Sequence, residues 1–194
     1  MKNSLLPILF LFISMKSVAQ SDHPLLDTRF GVGVVTAPEV FETIGSSIAE
    51  ALVSPDFESL DITNGGIALQ GSILFMPESR IGVGADFVYD SNDILYLFTD
   101  STQSTRVTYT SVLGRLDLRY KKEGMFRIYS SVGFGISQRV AERTDMNNNE
   151  REKNIGYAMQ ITPIGVRLGG RLAVWAEAGF GFRGLLSGGV SFQW

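Results

Sequence analysis

The feature that most constrains the fold is an alternation of apolar residues with glycine, serine and charged residues. The segment 81–89 shows it clearly, because large or apolar residues at its odd positions alternate with Gly82, Gly84 and Asp86 at its even positions. A period of two is typical of a β-strand with two different faces. The pattern occurs in eight segments and predicts eight strands, at 29–34, 67–76, 81–89, 112–120, 126–136, 162–168, 172–182 and 186–194.

The connections between these segments alternate in length. Long connections are predicted at 37–65, 91–104 and 140–154, with a much tighter one at Arg183-Gly184, whereas short turns are predicted at 77–80, 121–124 and 169–171. An even number of strands, with long loops at one end and short turns at the other, is typical of an antiparallel transmembrane β-barrel. In this arrangement the short turns and both termini face the periplasm.

The polar face of the strands indicates which side faces the lumen. It carries nine glycines, which are poor residues for a solvent-facing strand but suit the narrow interior of an eight-stranded barrel. A soluble lipocalin-like barrel, with the apolar face inward, fits this pattern less well. Arginine is the only cation on the polar face, and its planar group suits buried ion pairs. We therefore predict a filled lumen with a charge network of Arg29, Asp86, Arg115, Asp117, Arg119, Arg127, Arg167 and Glu177.

The register of one hairpin follows from its predicted turn. If residues 121–123 form the turn, Asp117 lies opposite Arg127, and Arg115 and Arg119 lie two residues away along its own strand. The sequence therefore predicts that Asp117 pairs with Arg127.

The N-terminus has the three parts of a secretory signal. Lys2 is basic, 5–13 is a short apolar run, and Ser17-Val18-Ala19 is a small-residue cleavage site. A membrane-spanning helix needs about 20 apolar residues, which this run does not reach. We predict that 1–19 is a cleaved signal peptide and that 20–194 forms a single barrel domain.

Composition argues against most catalytic and metal-binding chemistry. The chain has no cysteine, and its single histidine, His23, lies near the predicted mature N-terminus, so neither a thiolate nor a histidine base is expected on a strand. A net charge of −3 without a basic run argues against nucleic acid as a partner. The acidic segment 145–153 lacks calcium-loop spacing. The G-x-G-x-x-G pattern at 179–184 lacks the following helix. We predict no catalytic, cofactor-binding or metal-binding residue.

Two outer segments contain more apolar residues than exposed loops normally do. Thr36 and Glu39 form a capping box, which predicts a short amphipathic helix in the first outer loop. The second outer loop contains five consecutive large apolar residues. Such surface is typical of a binding site for a protein or a hydrophobic ligand. The alternatives are that the helix and the run pack together as a lid, or that the run extends the third and fourth predicted strands above the membrane. The candidate contact residues are Phe41, Ile44, Ile48, Leu52, Ile94, Leu95, Tyr96, Leu97 and Phe98.

The last predicted strands are similar in sequence to those of a known family. The stretch 162–194, TPIGVRLGGRLAVWAEAGFGFRGLLSGGVSFQW, resembles the closing strands of the PorT-like family of small outer-membrane β-barrels, and the Val18-Ala19-Gln20 junction and the preceding strands fit the same family. The terminal strand, with Leu186, Val190, Phe192 and Trp194, resembles the signal read by the outer-membrane assembly machinery. Tryptophan as the last residue departs from the usual phenylalanine. The resemblance implies a location and a fold but no defined biochemical activity.

These observations favour a structural or interaction role through the extracellular loops of a barrel in the outer membrane of a Gram-negative-type cell. The expected partners are outer-membrane lipid, the assembly machinery, and a protein or hydrophobic ligand at the outer loops. One alternative is a narrow, slightly arginine-rich channel for small solutes. A lipid-modifying barrel enzyme is disfavoured, because the known barrel enzymes that the chain would have to resemble use a histidine on a strand or at the mouth.

Overall fold

The structure of the protein is a computed structural model. It describes residues 26–38, 40, 57–62, 67–77, 80–98, 102–120, 125–144 and 149–194. The strands among them are β1 (Leu26–Val34), β2 (Phe57–Ile62), β3 (Ile67–Phe75), β4 (Ile81–Phe98), β5 (Thr102–Arg119), β6 (Phe126–Thr144), β7 (Asn149–Gly169), β8 (Leu172–Gly181) and β9 (Leu186–Gln193). The predicted signal peptide 1–19 lies outside the described residues.

Eight of these strands close into an antiparallel barrel. The sheet order β4-β3-β1-β9-β8-β7-β6-β5 is closed by the pairing of β5 with β4. The prediction of an all-β, eight-stranded antiparallel barrel is therefore confirmed. β1 begins and β9 ends at the same end of the barrel, since Asp27 lies opposite Gln193. β3, β5 and β7 also end here, which we call the turn end; the opposite end is the loop end.

The wall is much taller on one side than on the other. β4 to β7 have 18 to 21 residues, whereas β1, β3, β8 and β9 have 8 to 10. β2 pairs with the outer part of β4, beyond the part that pairs with β3. The predicted loops 91–104 and 140–154 are therefore largely strand. The sequence pattern missed these extensions because their outward positions are charged, as at Asp93, Arg106 and Glu142, so that the apolar alternation stops before the strand does.

The apolar face of the barrel points outward. Phe30 is 62% exposed and Phe134 is 66% exposed, whereas the intervening polar side chains are buried. Two positions depart from the predicted faces. Phe182, which the sequence pattern placed on the apolar face of the predicted strand 172–182, follows the end of β8 and packs inside the lumen. A bulge between Ile161 and Ile164 turns Thr162 inward, although the sequence pattern placed it on the apolar face. An extra residue in a strand shifts the alternation by one position, and the residues before it then face the opposite way.

The described residues contain no complete helix. The N–H of Val40 donates to the carbonyl of Thr36 at 3.1 Å, at the start of the predicted first-loop helix. The candidate contact residues of that helix, Phe41, Ile44, Ile48 and Leu52, lie outside the described residues. No helix in the described ranges is long and apolar enough to cross a membrane.

Candidate functional site

The middle of the lumen is occupied by a buried carboxylate that several strands surround. The Oε1 atom of Glu177, on β8, accepts hydrogen bonds from Arg29 Nη1 at 3.2 Å, Arg115 Nη2 at 2.7 Å and the Tyr129 hydroxyl at 2.7 Å. Its Oε2 atom lies 2.8 Å from Arg183 Nη1. β1, β5, β6 and the β8–β9 connection therefore all meet at one side chain, which is 4% exposed.

Two further carboxylates complete the centre of this network. Asp117 accepts from Arg115 Nε at 2.5 Å and from Arg29 Nη2 at 3.2 Å. Asp86 Oδ2 lies 3.6 Å from Arg115 Nη1 and 3.4 Å from Arg183 Nη1. Buried charges are stable only when they are paired, and here each carboxylate has two or more guanidinium neighbours. The structure thus brings together five of the eight predicted network residues: Arg29, Asp86, Arg115, Asp117 and Glu177.

The predicted pairing of Asp117 with Arg127 is wrong. Asp117 lies opposite Ser131, because the hairpin connection is four residues longer than the one assumed. The N–H of Tyr120 donates to the carbonyl of Ile128 at 3.0 Å, which continues the same register towards the turn. Arg127 lies opposite Arg167 and donates to Gln193 Oε1 at 3.0 Å.

The remaining three predicted network residues lie together at the turn end, and we call Arg119, Arg127 and Arg167 the arginine mouth. Arg119 donates to the carbonyl of Pro77 at 2.8 Å. Arg167 donates to Ser191 Oγ at 2.7 Å and to the carbonyl of Gly170 at 2.8 Å. Arg167 Nε also lies 3.8 Å from Asp27 Oδ2, which links the mouth to the central network.

The predicted charge network omitted four residues that contact it: Asp27, Tyr129, Trp175 and Arg183. The alternation does place Tyr129 and Trp175 on the inward face. Asp27 accepts from Arg29 Nε at 3.1 Å and adds a fourth carboxylate. Arg183 is the least expected, because it belongs to the short connection at the loop end, which the sequence pattern treats as exposed. Its side chain is fully buried, donates from Nε to Gln70 Oε1 at 2.6 Å and lies over the Trp175 ring at 5.5 Å.

Two glycines allow this connection to fold into the barrel. Gly184 has a φ of 100°, a conformation that other residues rarely adopt. A Cβ atom on Gly33 would lie 1.8 Å from the carbonyl oxygen of Arg183, so only glycine permits this approach of the two backbones.

Above the charge network the lumen holds two apolar clusters beside buried polar side chains such as Asp90 and Asn92. Phe182 packs against an inner cluster of Ala68, Val88, Leu113 and Ala158 and against an outer cluster of Ile94, Val107, Tyr109 and Ala141. Its ring meets that of Tyr109 edge to face, with centroids 6.2 Å apart. Ile94 was a candidate for an exposed contact surface, but it is 1% exposed and faces the lumen. Leu95, Tyr96, Leu97 and Phe98 continue β4, as the strand-extension alternative expected, and their side chains lie outside the described set.

The rim at the loop end carries charge pairs on its outer surface. Arg106 donates to Asp93 at 2.7 Å and 3.1 Å, and this hydrogen bonding raises the pKa of the Arg106 guanidinium. Arg151 lies 3.4 Å from Glu142 across the next hairpin. Charged pairs of this kind are typical of a surface in water rather than in lipid.

The predicted assembly signal lies in β9, the C-terminal strand, which closes the barrel against the N-terminal strand β1. β9 pairs with β8 on one side and with β1 on the other. Leu186, Val190 and Phe192 point outward and are 39% to 61% exposed. The rings of Phe192 and Trp194 meet edge to face with centroids 4.5 Å apart.

The described residues contain no group of three or more His, Cys, Asp or Glu side chains arranged to hold a metal ion. The central carboxylates are instead enclosed by guanidinium groups. No protein-family model and no curated protein matches the chain.

Proposed function

We propose that the protein is an outer-membrane β-barrel with a filled, non-conducting lumen and a structural or interaction role at its loop end. An apolar exterior supports membrane insertion. From Phe126 to Ile136 the outward residues of β6 are mostly apolar. The ten steps between these eleven residues, at about 3.3 Å each and tilted by about 40°, give a height of about 25 Å, which matches the apolar band of outer-membrane barrels. The PorT-like resemblance of the sequence agrees with this location.

The observation that carries the proposal of a closed lumen is the position of Arg183. The β8–β9 connection turns inward from the loop end and inserts Phe182 among apolar side chains and Arg183 among carboxylates. Beneath them Glu177 joins side chains from opposite walls of the barrel. An eight-stranded barrel is just wide enough for side chains to fill it. This arrangement favours the structural or interaction role over the channel alternative.

Conductance in planar lipid bilayers tests the closed lumen. The wild-type protein is expected to give no steady current steps. The triple variant Phe182→Ala, Arg183→Ala, Glu177→Ala is expected to conduct, because it shortens the two side chains that enter the lumen and removes the carboxylate that joins opposite walls beneath them. Arg106→Ala, on the outer rim, is the matched control and is expected to remain silent. Steady steps from the wild-type protein would instead support the channel.

Labelling of intact cells tests the orientation. A cysteine replacing Arg151 at the loop end is expected to react with a membrane-impermeant maleimide. A cysteine replacing Arg171, which is exposed at the turn end, is expected to react only after the outer membrane has been permeabilised. The reverse pattern would place the termini outside the cell and contradict the proposal.

Crosslinking tests the interaction role. A photoreactive amino acid in place of Glu142, which is exposed on the rim, is expected to capture a specific partner protein in cells. The same amino acid in place of Arg171 is the control for the opposite end. If the rim position gives no product at any growth stage, a purely structural role is favoured.

A further inference from the structure

The chain crosses the loop end of β3 as it leaves β1. β3 lies between β1 and β4, and its first residue, Ile67, is opposite Val34 at the end of β1. The Thr36 hydroxyl nevertheless donates to Asp90 Oδ2, on β4, at 2.5 Å. Thr36 is 0% exposed and Asp90 is 1% exposed. The hydrogen bond therefore spans the end of β3 and joins two parts of the wall that are not neighbours.

The residue before Thr36 has a strained backbone. Val35 has a φ of 55°, a left-handed conformation that β-branched residues rarely adopt. Such a conformation persists only where the surrounding contacts hold it. The N–H of Leu185 donates to the carbonyls of Val34 and Val35 at 3.0 Å each, and the Thr36–Asp90 bond holds the next residue. Loss of that bond would remove a restraint from a strained segment.

Asp90 is a buried carboxyl group near the loop end of the lumen. It follows Tyr89, where the apolar exterior of β4 gives way to Ser91 and Asp93, so it lies beyond the part of the strand that faces lipid. Burial raises the pKa of its carboxyl group above the usual range, and the hydrogen bond from Thr36 only partly opposes this effect. The buried Asp90 therefore binds a proton more tightly than an Asp90 exposed to water would.

The charged and titratable groups around Asp90 come from several elements. Tyr109 is directly opposite on β5, and Arg139 is opposite Tyr109 on β6. Asp86, four residues before Asp90 on the same face of β4, lies 3.4 Å from Arg183 of the β8–β9 connection. Tyrosine and arginine side chains titrate far above neutral pH. A pH response that disappears when position 90 is changed is therefore assigned to Asp90 itself.

We propose that Thr36 and Asp90 form a latch that holds residues 35–37 across the loop end of β3 and that loosens as the pH rises. Because the closed latch raises the pKa of Asp90, its stabilisation is fully present below the ordinary pKa of a carboxyl group. It is lost as the pH rises through the raised pKa. Opening exposes Ala37, which is 4% exposed in the closed latch, and relieves the strain at Val35.

Cysteine accessibility tests the latch, because the chain has no cysteine of its own. Ala37→Cys places a small thiol at the buried position, and Arg151→Cys places one on the exposed rim as the reference for the chemistry of the reagent. The rate of maleimide labelling at the first position, divided by that at the second, is measured on the full-length mature protein in detergent. We expect this labelling ratio to rise about fivefold or more between about pH 5 and pH 8.

Two variants separate titration of Asp90 from a general effect of pH. Asp90→Asn keeps the shape and cannot ionise, so its labelling ratio is expected to stay low at every pH. Thr36→Val keeps the shape without the hydroxyl and is expected to raise the ratio at every pH, whereas Thr36→Ser is expected to keep the wild-type profile.

The same rise with pH in the Asp90→Asn background would overturn the proposal. So would a Thr36→Val variant with the wild-type ratio, or an Ala37→Cys protein that is labelled as fast as Arg151→Cys at every pH. Folding is checked by the heat-dependent shift in electrophoretic mobility that is typical of barrels. If one of the two variants does not fold, the comparison with the other decides.

Discussion

Replacement of Glu177 by glutamine is the most informative perturbation of the lumen. The side chain keeps its shape but loses its charge, and its new amide group is a donor that faces other donors. Arg29, Arg115 and Arg183 all lie within 3.2 Å of this carboxylate. Each of these three guanidinium groups would lose an ion pair in a site that is almost completely buried.

The size of the effect follows from the number of partners that are lost. Breaking a single buried ion pair by removing one partner costs about 3–5 kcal/mol. The three arginines retain Asp86 and Asp117, so we expect the free energy of unfolding to fall by about 3–5 kcal/mol rather than by three times that amount. With a denaturant dependence of about 2 kcal/mol per molar, the urea midpoint would fall by about 2 M.

Tryptophan fluorescence during urea unfolding in lipid vesicles measures this change, because Trp175 lies inside the barrel beside Arg183. The double variant Glu177→Gln, Arg183→Met removes opposite charges together and is expected to lose less stability than Glu177→Gln alone. Asp93→Asn, which breaks an outer pair with an exposed arginine, is the control and is expected to have little effect. A Glu177→Gln variant with the wild-type midpoint would refute the buried network.

Two further predictions concern the side-chain partners of Asp117 and the aromatic rings at the C-terminal strand. In double-mutant cycles measured by urea unfolding, Asp117→Asn is expected to couple with Arg115→Gln, because Asp117 contacts the Arg115 guanidinium. It is not expected to couple with Arg127→Gln. Coupling to Arg127 alone would contradict the observed register. Replacing both Phe192 and Trp194 with serine is expected to prevent assembly, as judged by loss of the heat-modifiable band in outer-membrane fractions. Normal band intensity would show that these rings do not form an assembly signal.

Hydrophobic alternation predicted the barrel because a lipid-facing strand must be apolar on every second residue. This reasoning works only where the outside of the wall is apolar. Ser91 and Asp93 continue β4 beyond Tyr89, but their outward positions are polar, so the alternation cannot distinguish them from a loop. For the same reason the sequence predicts that Ile94 belongs to an exposed run, although it points inward. Ile94, Val107 and Ala141, in this part of the wall, face the lumen.

Register and inward-folded turns could not be predicted from the alternation. It fixes which face a residue occupies but not which residue lies opposite, so Asp117 and Arg127 were placed on the correct face with the wrong partners. Arg183 was missed for another reason. It follows the last alternating residue of β8, and its inward direction depends on the backbone conformation of Gly184 and on the space left by Gly33.

The interior of the barrel is layered, and this layering separates its two ends. Two apolar clusters around Phe182 lie towards the loop end beside buried polar side chains such as Asp90 and Asn92, paired charges around Glu177 occupy the middle, and the arginine mouth occupies the turn end. A partner bound at the loop rim would contact none of the residues at the turn end. Arg127→Gln should therefore leave crosslinking from Glu142 unchanged.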